Sequence, residues 1–230
     1  MDSLKNKKIL ITAGPTWVPI DDVRVISNTS SGELGLLLAR EAAKYKAKVD
    51  LFLGPVPQVV LLNKNIRVSR FTYFGELLDL VVSALKSEKY DYIFHCAAVS
   101  DYLTKKISGK ISSENNELVL RLKRAPKIIN LMRKMNPGAF LVMFKLEGVA
   151  KDTLLLRRAI DAMNKVGADL VVANRFLTLK RKSWGSAGED KRYRGFILDS
   201  REIFFRASSR RALSKELFRV INMKLNRKLN

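Results

Sequence analysis

Gly14, Ser30, Gly32 and Gly35 fall within the first thirty-five residues and bracket a polar loop that carries Asp21, Asp22, Arg24 and Asn28. Small residues at the start of a helix leave backbone N–H groups open to an anion, and the helix dipole adds positive potential there. The Asn28 carboxamide can donate to a carboxylate or acyl oxygen, and the planar fork of Arg24 suits phosphate or carboxylate. Together these types describe a seat for a nucleotide or another phosphorylated ligand. Each also has a plainer use: Ser30 as a helix cap, Gly32 as a turn, Asn28 bonding its own turn backbone. A cap and a phosphate seat employ the same amides, so both uses hold at once. The G-x-G-x-x-G fingerprint of dinucleotide binding does not follow Gly14, which disfavours an NAD(P)-dependent reductase.

The elements that must position these residues alternate between apolar runs and helical patterns. Strands are expected at Lys8–Thr12, Val49–Leu53, Arg67–Phe71, Tyr92–Ala97, Leu118–Leu122, Phe140–Phe144, Leu170–Ala173, Gly195–Leu198 and Ile203–Phe205. Helices are expected at Leu34–Tyr45, Phe74–Ser87, Lys127–Lys134, Asp152–Val166 and Ser209–Leu225. The alternation predicts an α/β fold: a Rossmann-like, mostly parallel sheet with helices on both faces. The turn Asp199-Ser-Arg-Glu202 between two short apolar runs adds a late antiparallel edge hairpin. Polar, charged stretches at Leu103–Asn116 and Arg175–Arg194 read as loops, the first holding Lys110 beyond a strand end, where open α/β sheets bind ligands.

The 230 residues, 47% of them hydrophobic, suffice for one core, and residues 1–230 are read as a single domain. No apolar run reaches the ~18 residues of a membrane span, and the first eight residues lack the apolar core of a signal peptide. A single cysteine, Cys96, excludes an internal disulfide and fits a reducing cytoplasm. The net charge is +21, and from Arg175 onward 16 basic residues face 5 acidic ones. That excess can serve anionic surfaces, but it comes with no aromatic-interleaved basic motif or zinc pattern. A solvated basic surface that attracts phosphorylated substrates accounts for it better than nucleic acid does.

The run ITAGPTWVPIDDVRVISNTSSGELG, Ile11 to Gly35, resembles the phosphopantothenate–cysteine ligase (phosphopantothenoylcysteine synthetase) family, whose pattern is close to ITAGPT-x-x-x-ID-x-VR-x-ISN-x-SSG-x-x-G. Further matches follow in family order: Ala97-Ala-Val-Ser-Asp-Tyr102, Lys110-Ile-Ser-Ser113, Pro126-Lys-Ile-Ile129, Phe144-Lys-Leu-Glu147 and Val172-Ala-Asn174. Each is weak alone, but six in order over three quarters of the chain are specific. The resemblance implies a cytoplasmic, stand-alone homodimer acting in coenzyme A biosynthesis, with no flavin-dependent decarboxylase domain ahead of it. It would use Mg²⁺ and CTP or ATP to join 4'-phosphopantothenate to cysteine through an acyl nucleotidylate.

By the same resemblance Asn28 and Lys110 are catalytic. Arg24, Asn28, Ala97, Ala98 and Asp101 hold substrate, with Arg24 reaching into the partner's site across a dimer interface. Gly14, Ser30, Gly32, Gly35, Lys127, Phe144 and Asn174 form the nucleotide site. The metal ligands stay unassigned, although Asp101 can accept from a ligand hydroxyl or bind a hydrated Mg²⁺. The rival reading is a non-catalytic nucleotide- or nucleic-acid-binding protein on the same fold, which would not need Asn28, Asp101 and Lys110 together.

Two departures from the family bear on the base. Asp161 replaces the first of two lysines spaced four apart, while Lys165 is kept, which predicts weakened discrimination between CTP and ATP. Met143 stands where a small residue is usual and would crowd the pocket. His95 and Cys96 are neighbours on a strand and so point to opposite faces; they form no joint metal or nucleophile site, and Cys96 reads as a buried small hydrophobe.

Overall fold

A computed structural model of the protein describes residues 4–57, 63–114, 116–148, 151–175 and 193–229. Its centre is an apolar strand, β1 (Lys8–Ala13), buried on both faces. Ile9, Ile11 and Ala13 point to one helical layer and Leu10 to the other, as the period-two geometry of a strand requires.

β1 is followed by a short hairpin, β2 (Trp17–Pro19) and β3 (Val25–Ser27), and then by α1 (Glu33–Lys44). Next come β4 (Lys48–Leu53), β5 (Ile66–Arg70), α2 (Phe74–Ser87) and β6 (Tyr92–His95). A two-residue pairing, β7 (Tyr102–Leu103) with β8 (Lys123–Arg124), precedes α3 (Ile128–Met135) and β9 (Phe140–Glu147). The chain closes with α4 (Asp152–Val166), β10 (Leu170–Arg175), β11 (Gly195–Leu198), β12 (Ile203–Ala207) and α5 (Arg210–Leu229).

The main sheet runs β12-β11-β10-β9-β6-β1-β4-β5. From β10 to β5 every pairing is parallel, and β11 and β12 add the antiparallel hairpin at one edge. The Asp199 carboxylate closes that hairpin by accepting the Arg201 and Glu202 amides. α1 and α5 cover one face, where Leu38, Ala39, Leu213 and Phe218 meet Ile11, Phe94 and Val142. α2, α3 and α4 cover the other, with Leu77, Met132, Leu155 and Ala159 on Leu10, Ile93 and Leu141. The order of the six parallel strands reverses between β1 and β6, and the crevice at their carboxyl ends is the switch point where sheets of this kind take ligands.

The α/β class, the sheet and the edge hairpin agree with the sequence expectation. Leu118–Leu122 is a correction. No strand forms there, and Leu118, Val119 and Leu122 lie exposed, Val119 at 72%. An apolar alternation makes a strand only where a neighbour accepts its hydrogen bonds, and here just Lys123–Arg124 finds one, on Tyr102–Leu103. The hairpin β2–β3 was not foreseen, because strands of three residues leave no periodic signal. Of the loop expected at Arg175–Arg194, Arg175 ends β10, and residues 176–192 lie outside the described residues.

Candidate active site

The floor of the crevice is main chain against main chain. Gly14 leaves β1 with φ 81° and its carbonyl accepts the Ala98 N–H at 2.9 Å, while the Ala98 carbonyl accepts the Thr16 N–H at 3.3 Å. A methyl group on Gly14 would lie 3.1 Å from the Gly54 nitrogen, and one on Gly32 would lie 3.0 Å from Val56 Cγ1 and 3.4 Å from Gly14. Gly32, at φ 69°, is the N-cap of α1, so the amides of the first turn of α1 open beside Gly14. Ser30 Oγ accepts the Gly32 N–H at 3.3 Å, which braces the turn before α1; Gly32, not Ser30, is the N-cap, and no side chain caps the helix. Gly35 serves the packing that brings α1 there. A Cβ on it would fall 2.3 Å from the Ala13 Cβ.

Asn28 is drawn into this floor. Its Nδ2 donates to the Ala98 carbonyl at 2.9 Å, and β3 delivers it from the hairpin above. Beyond Ala98, Ser100 N–H donates to Thr16 Oγ1 at 2.9 Å, which ties the two strand-end loops together. Asp101 then pairs with Lys127 Nζ at 2.5 Å, at the N-cap of α3.

On the α1/α5 side of the sheet, Phe144 is half-buried against the core. Asn174 sits two residues beyond Val172, the register partner of Phe144, and so on the same face. Tyr193 donates to Asn174 Oδ1 at 2.6 Å and carries the Arg210 guanidinium 5.4 Å above its ring; Arg210 in turn reaches Glu33, in the first turn of α1, at 3.1 Å.

His95 and Cys96 do point apart. His95 Nδ1 lies 2.9 Å from Thr12 Oγ1, and burial, reinforced by the Lys127 charge, lowers its pKa to about 4, so the ring is neutral at pH 7. Burial pushes the Cys96 thiol up to about 12 against the opposing pull of Arg210, which leaves it unreactive. Cys96 as a residue is half-buried, not fully buried as expected.

Lys110 is exposed on a strap, residues 105–111, that lies along the β2–β3 turn. Asp22 pairs with Lys106 at 2.6 Å and accepts the Gly109 N–H at 2.7 Å; Asp21 accepts the Ile111 N–H at 3.1 Å. Arg24 bonds Asp21 Oδ2 at 2.5 Å and the Ile111 carbonyl at 3.2 Å, within its own chain.

The two family departures resolve differently. Met143 faces the core of α3 and α4 and leaves the Phe144 side uncrowded. Asp161 and Lys165 lie on the exposed side of α4, and Asp161 is nine residues from Asp152, at the end of the helix nearest the crevice, or about 13 Å along its axis. Asp161 thus lies away from the crevice end of α4, which tells against the role in base reading given to it from the sequence.

A family model, the DNA/pantothenate metabolism flavoprotein C-terminal domain, matches residues 4–224. The chain belongs to this family. The flavoprotein C-terminal domain family includes relatives described as coenzyme A biosynthesis bifunctional protein CoaBC. The protein of that description from Thermococcus kodakarensis is 39% identical over 173 residues, and that from Methanocaldococcus jannaschii 33% over 172. These stretches are 75% and 74% of this chain but 42% and 41% of those proteins, so the domain spans about two fifths of their length. The crystal structure of the DNA/pantothenate metabolism flavoprotein from Streptococcus pneumoniae superposes with a TM-score of 0.82 at 25% identity, covering 95% of this chain and 99% of that one.

Within the family domain, the residues singled out from sequence fall into four groups. Gly14, Gly32, Gly35, Ala97, Ala98 and Asn28 converge at the switch point. Asp101 and Lys127 pair beside it, and Phe144 with Asn174 share the α1/α5 face. Lys110 and Arg24 are joined through Asp21. Sequence reasoning missed Thr12 and Thr16, which lock the strand ends, Tyr193, in a stretch with no periodic signal, and Arg210, in the first turn of the expected last helix. It also missed Gly54, where a Cβ would meet the Pro15 carbonyl at 2.2 Å. A glycine directly after a buried strand, as Gly54 is after β4, was the available clue.

Proposed function

We propose that the protein is a phosphopantothenate–cysteine ligase working as a homodimer with CTP or ATP. The observation that carries this reading is the meeting of Gly14, the α1 N-terminus at Gly32 and the Asn28–Ala98 contact in one crevice. The membership of the chain in its family supports it.

In the proposed reaction, the triphosphate rests on the α1 amides with its base toward Phe144 and Asn174. A carboxylate oxygen of 4'-phosphopantothenate attacks the α-phosphorus and pyrophosphate leaves, giving an acyl nucleotidylate. The amine of cysteine then attacks the acyl carbon, the nucleoside monophosphate departs, and the amine loses a proton. The chain contributes positioning and charge stabilisation and no covalent intermediate. Asn28 spends one amide hydrogen on Ala98 and keeps the other for an acyl oxygen, and Lys110 offsets charge building on the α-phosphate.

Among the described residues no three His, Cys, Asp or Glu side chains are placed to hold a metal ion, and Asp101 is neutralised by Lys127. In this reading the Mg²⁺ would arrive with the triphosphate, held by phosphate oxygens and water. No described helix is long and apolar enough to cross a membrane.

The test is pyrophosphate release with 4'-phosphopantothenate, Mg²⁺ and either CTP or ATP, before cysteine is added. Release that requires both the acid and the triphosphate is expected. Release indifferent to phosphopantothenate, or none with any nucleotide, removes the ligase reading and favours a binding protein.

A further inference from the structure

Asp21 is 2% exposed, yet its carboxylate collects four donors. Oδ1 accepts the Val23 and Arg24 amides at 2.9 and 2.7 Å, which is an Asx-type turn between β2 and β3. Oδ2 faces the other way, accepting the Arg24 guanidinium at 2.5 Å and the Ile111 amide at 3.1 Å, contacts that turn geometry alone does not need. One residue before Lys110, Asp22 Oδ2 accepts the Gly109 amide, and the Asp22 N–H donates to the Gly109 carbonyl at 3.1 Å. The Ile107 amide reaches the Ile20 carbonyl at 2.9 Å. Lys110 is thereby held between two amides that are each captured by a carboxylate of one turn. The same hairpin continues through β3 to Asn28 on the Ala98 carbonyl.

We propose that Asp21, assisted by Asp22, is a positioning residue: its buried carboxylate fixes the strap so that Lys110, Arg24 and Asn28 are presented as one rigid set. The proposal rests on the ligase reading, in which Lys110 acts on the reacting phosphate. The carboxylate touches no reacting atom; it acts through Lys110 and the Arg24 fork. An exposed lysine on an untethered loop would lose the entropic advantage of a preorganised donor, and the loss falls on turnover more than on ground-state binding. The depressed pKa of Asp21, about 2, fits a carboxylate whose hydrogen bonds outweigh its burial.

Asp21→Asn separates the two halves of the carboxylate. Its carbonyl keeps the Val23 and Arg24 amides, while its NH₂ group meets the Arg24 guanidinium and the Ile111 amide as donor against donor. Three readings on the full chain then decide. Tryptic cleavage after Lys110, followed by mass spectrometry of the folded protein, should accelerate by roughly ten-fold or more, the scale expected when hydrogen bonds to a charged group are lost. kcat for pyrophosphate release should fall roughly ten- to a hundred-fold with the nucleotide KM little changed. Finally, Asp21→Asn added to Lys110→Ala should cost little beyond Lys110→Ala alone, because both act through one group.

An unchanged rate of cleavage after Lys110, or a kcat loss that adds in full to Lys110→Ala, overturns the proposal. Near-normal turnover in Lys110→Ala also overturns it, by removing Lys110 from the reaction. Should Asp21→Asn fail to fold, Asp22→Asn, at the exposed end of the turn, is read in the same three ways. If the unaltered protein releases no pyrophosphate, the ligase reading fails on its own, and the cleavage assay still shows whether the carboxylates hold the strap.

Discussion

Around Gly14 the crevice floor is held by backbone packed on backbone. Gly14, Gly32, Gly35 and Gly54 each stand where a methyl group would strike main chain or a neighbouring side chain, and the hydrogen bonds join carbonyl to amide across strand ends. The strap at residues 105–111 is held differently. Besides two backbone bonds, from the Asp22 amide to the Gly109 carbonyl and from the Ile107 amide to the Ile20 carbonyl, its attachments come from two carboxylates and one guanidinium, with Asp22 and Lys106 both about half exposed. The contrast teaches that one site combines a floor set by steric fit with a strap set by charge and hydrogen bonds. The glycines of the floor are intolerant of added volume, whereas the strap depends on side-chain charge.

The largest expected effect separates the two by turnover. Lys110→Ala should lower kcat by ~10²–10³, or ~3–4 kcal/mol, the usual loss for one preorganised donor. Its melting temperature should stay close to that of the parent, since an exposed side chain away from the core changes stability by less than about 0.5 kcal/mol. Single-turnover kinetics with calorimetry check both. A parallel fall in melting temperature would show that the strap is structural after all.

On the floor the order should reverse. Gly35→Ala places a methyl 2.3 Å from the Ala13 Cβ, and α1 must shift. The expected cost is about 1–3 kcal/mol of stability, read as a lowered urea midpoint at unchanged m. Turnover follows only as far as the α1 N-terminus moves. An unchanged midpoint would mean that α1 slides freely and that the floor is not set by fit.

pH should divide the regions next. His95, beside the floor, titrates near 4 in the folded chain but at its ordinary 6.5 when unfolded. The unfolded chain therefore takes up a proton first, and stability falls as pH drops from about 6.5 to 4. His95→Gln should flatten that part of the profile in denaturation scans. Asp21 has the same sign of linkage in a lower window: its folded pKa is depressed from 3.8 to about 2. Its contribution is intact above about pH 4 and is lost only as pH falls toward 2. Hydrogen exchange at the Gly109 and Ile111 amides should thus stay protected at pH 5, where the His95 contribution is already declining. Loss of that protection near pH 5 would detach the strap from Asp21.

The smallest effect lies outside both regions. Asp161→Lys should shift the CTP-to-ATP ratio of kcat/KM by less than about three-fold, because a charge on the exposed side of α4, about 13 Å along the helix from its crevice end, exceeds the ~8 Å screening length at physiological salt. A larger change would place Asp161 against the base.

Much of the fold was legible in the sequence. The apolar strands and the amphipathic helices are local, and their periods follow from 3.6- and 2-residue repeats whatever the surroundings. The turns at Gly14 and Gly32 were legible too, since both glycines take positive φ, a conformation set by their own backbone. Leu118–Leu122 shows the limit: its alternation matches a strand, but whether a partner stands beside it is a fact about another part of the chain.

The sequence by itself determined the element types, the glycines that need positive φ or close approach, and the set of polar residues available for chemistry. Only the tertiary structure decided which of them meet. It set Asn28 on Ala98, 70 residues away, and Asp21 on Ile111, 90 residues away. It turned Met143 into the core and left Asp161 outside the site. The reason is physical: residue type and near-neighbour spacing fix local conformation, whereas a site at a topological switch point is assembled by contacts whose partners no local rule can name.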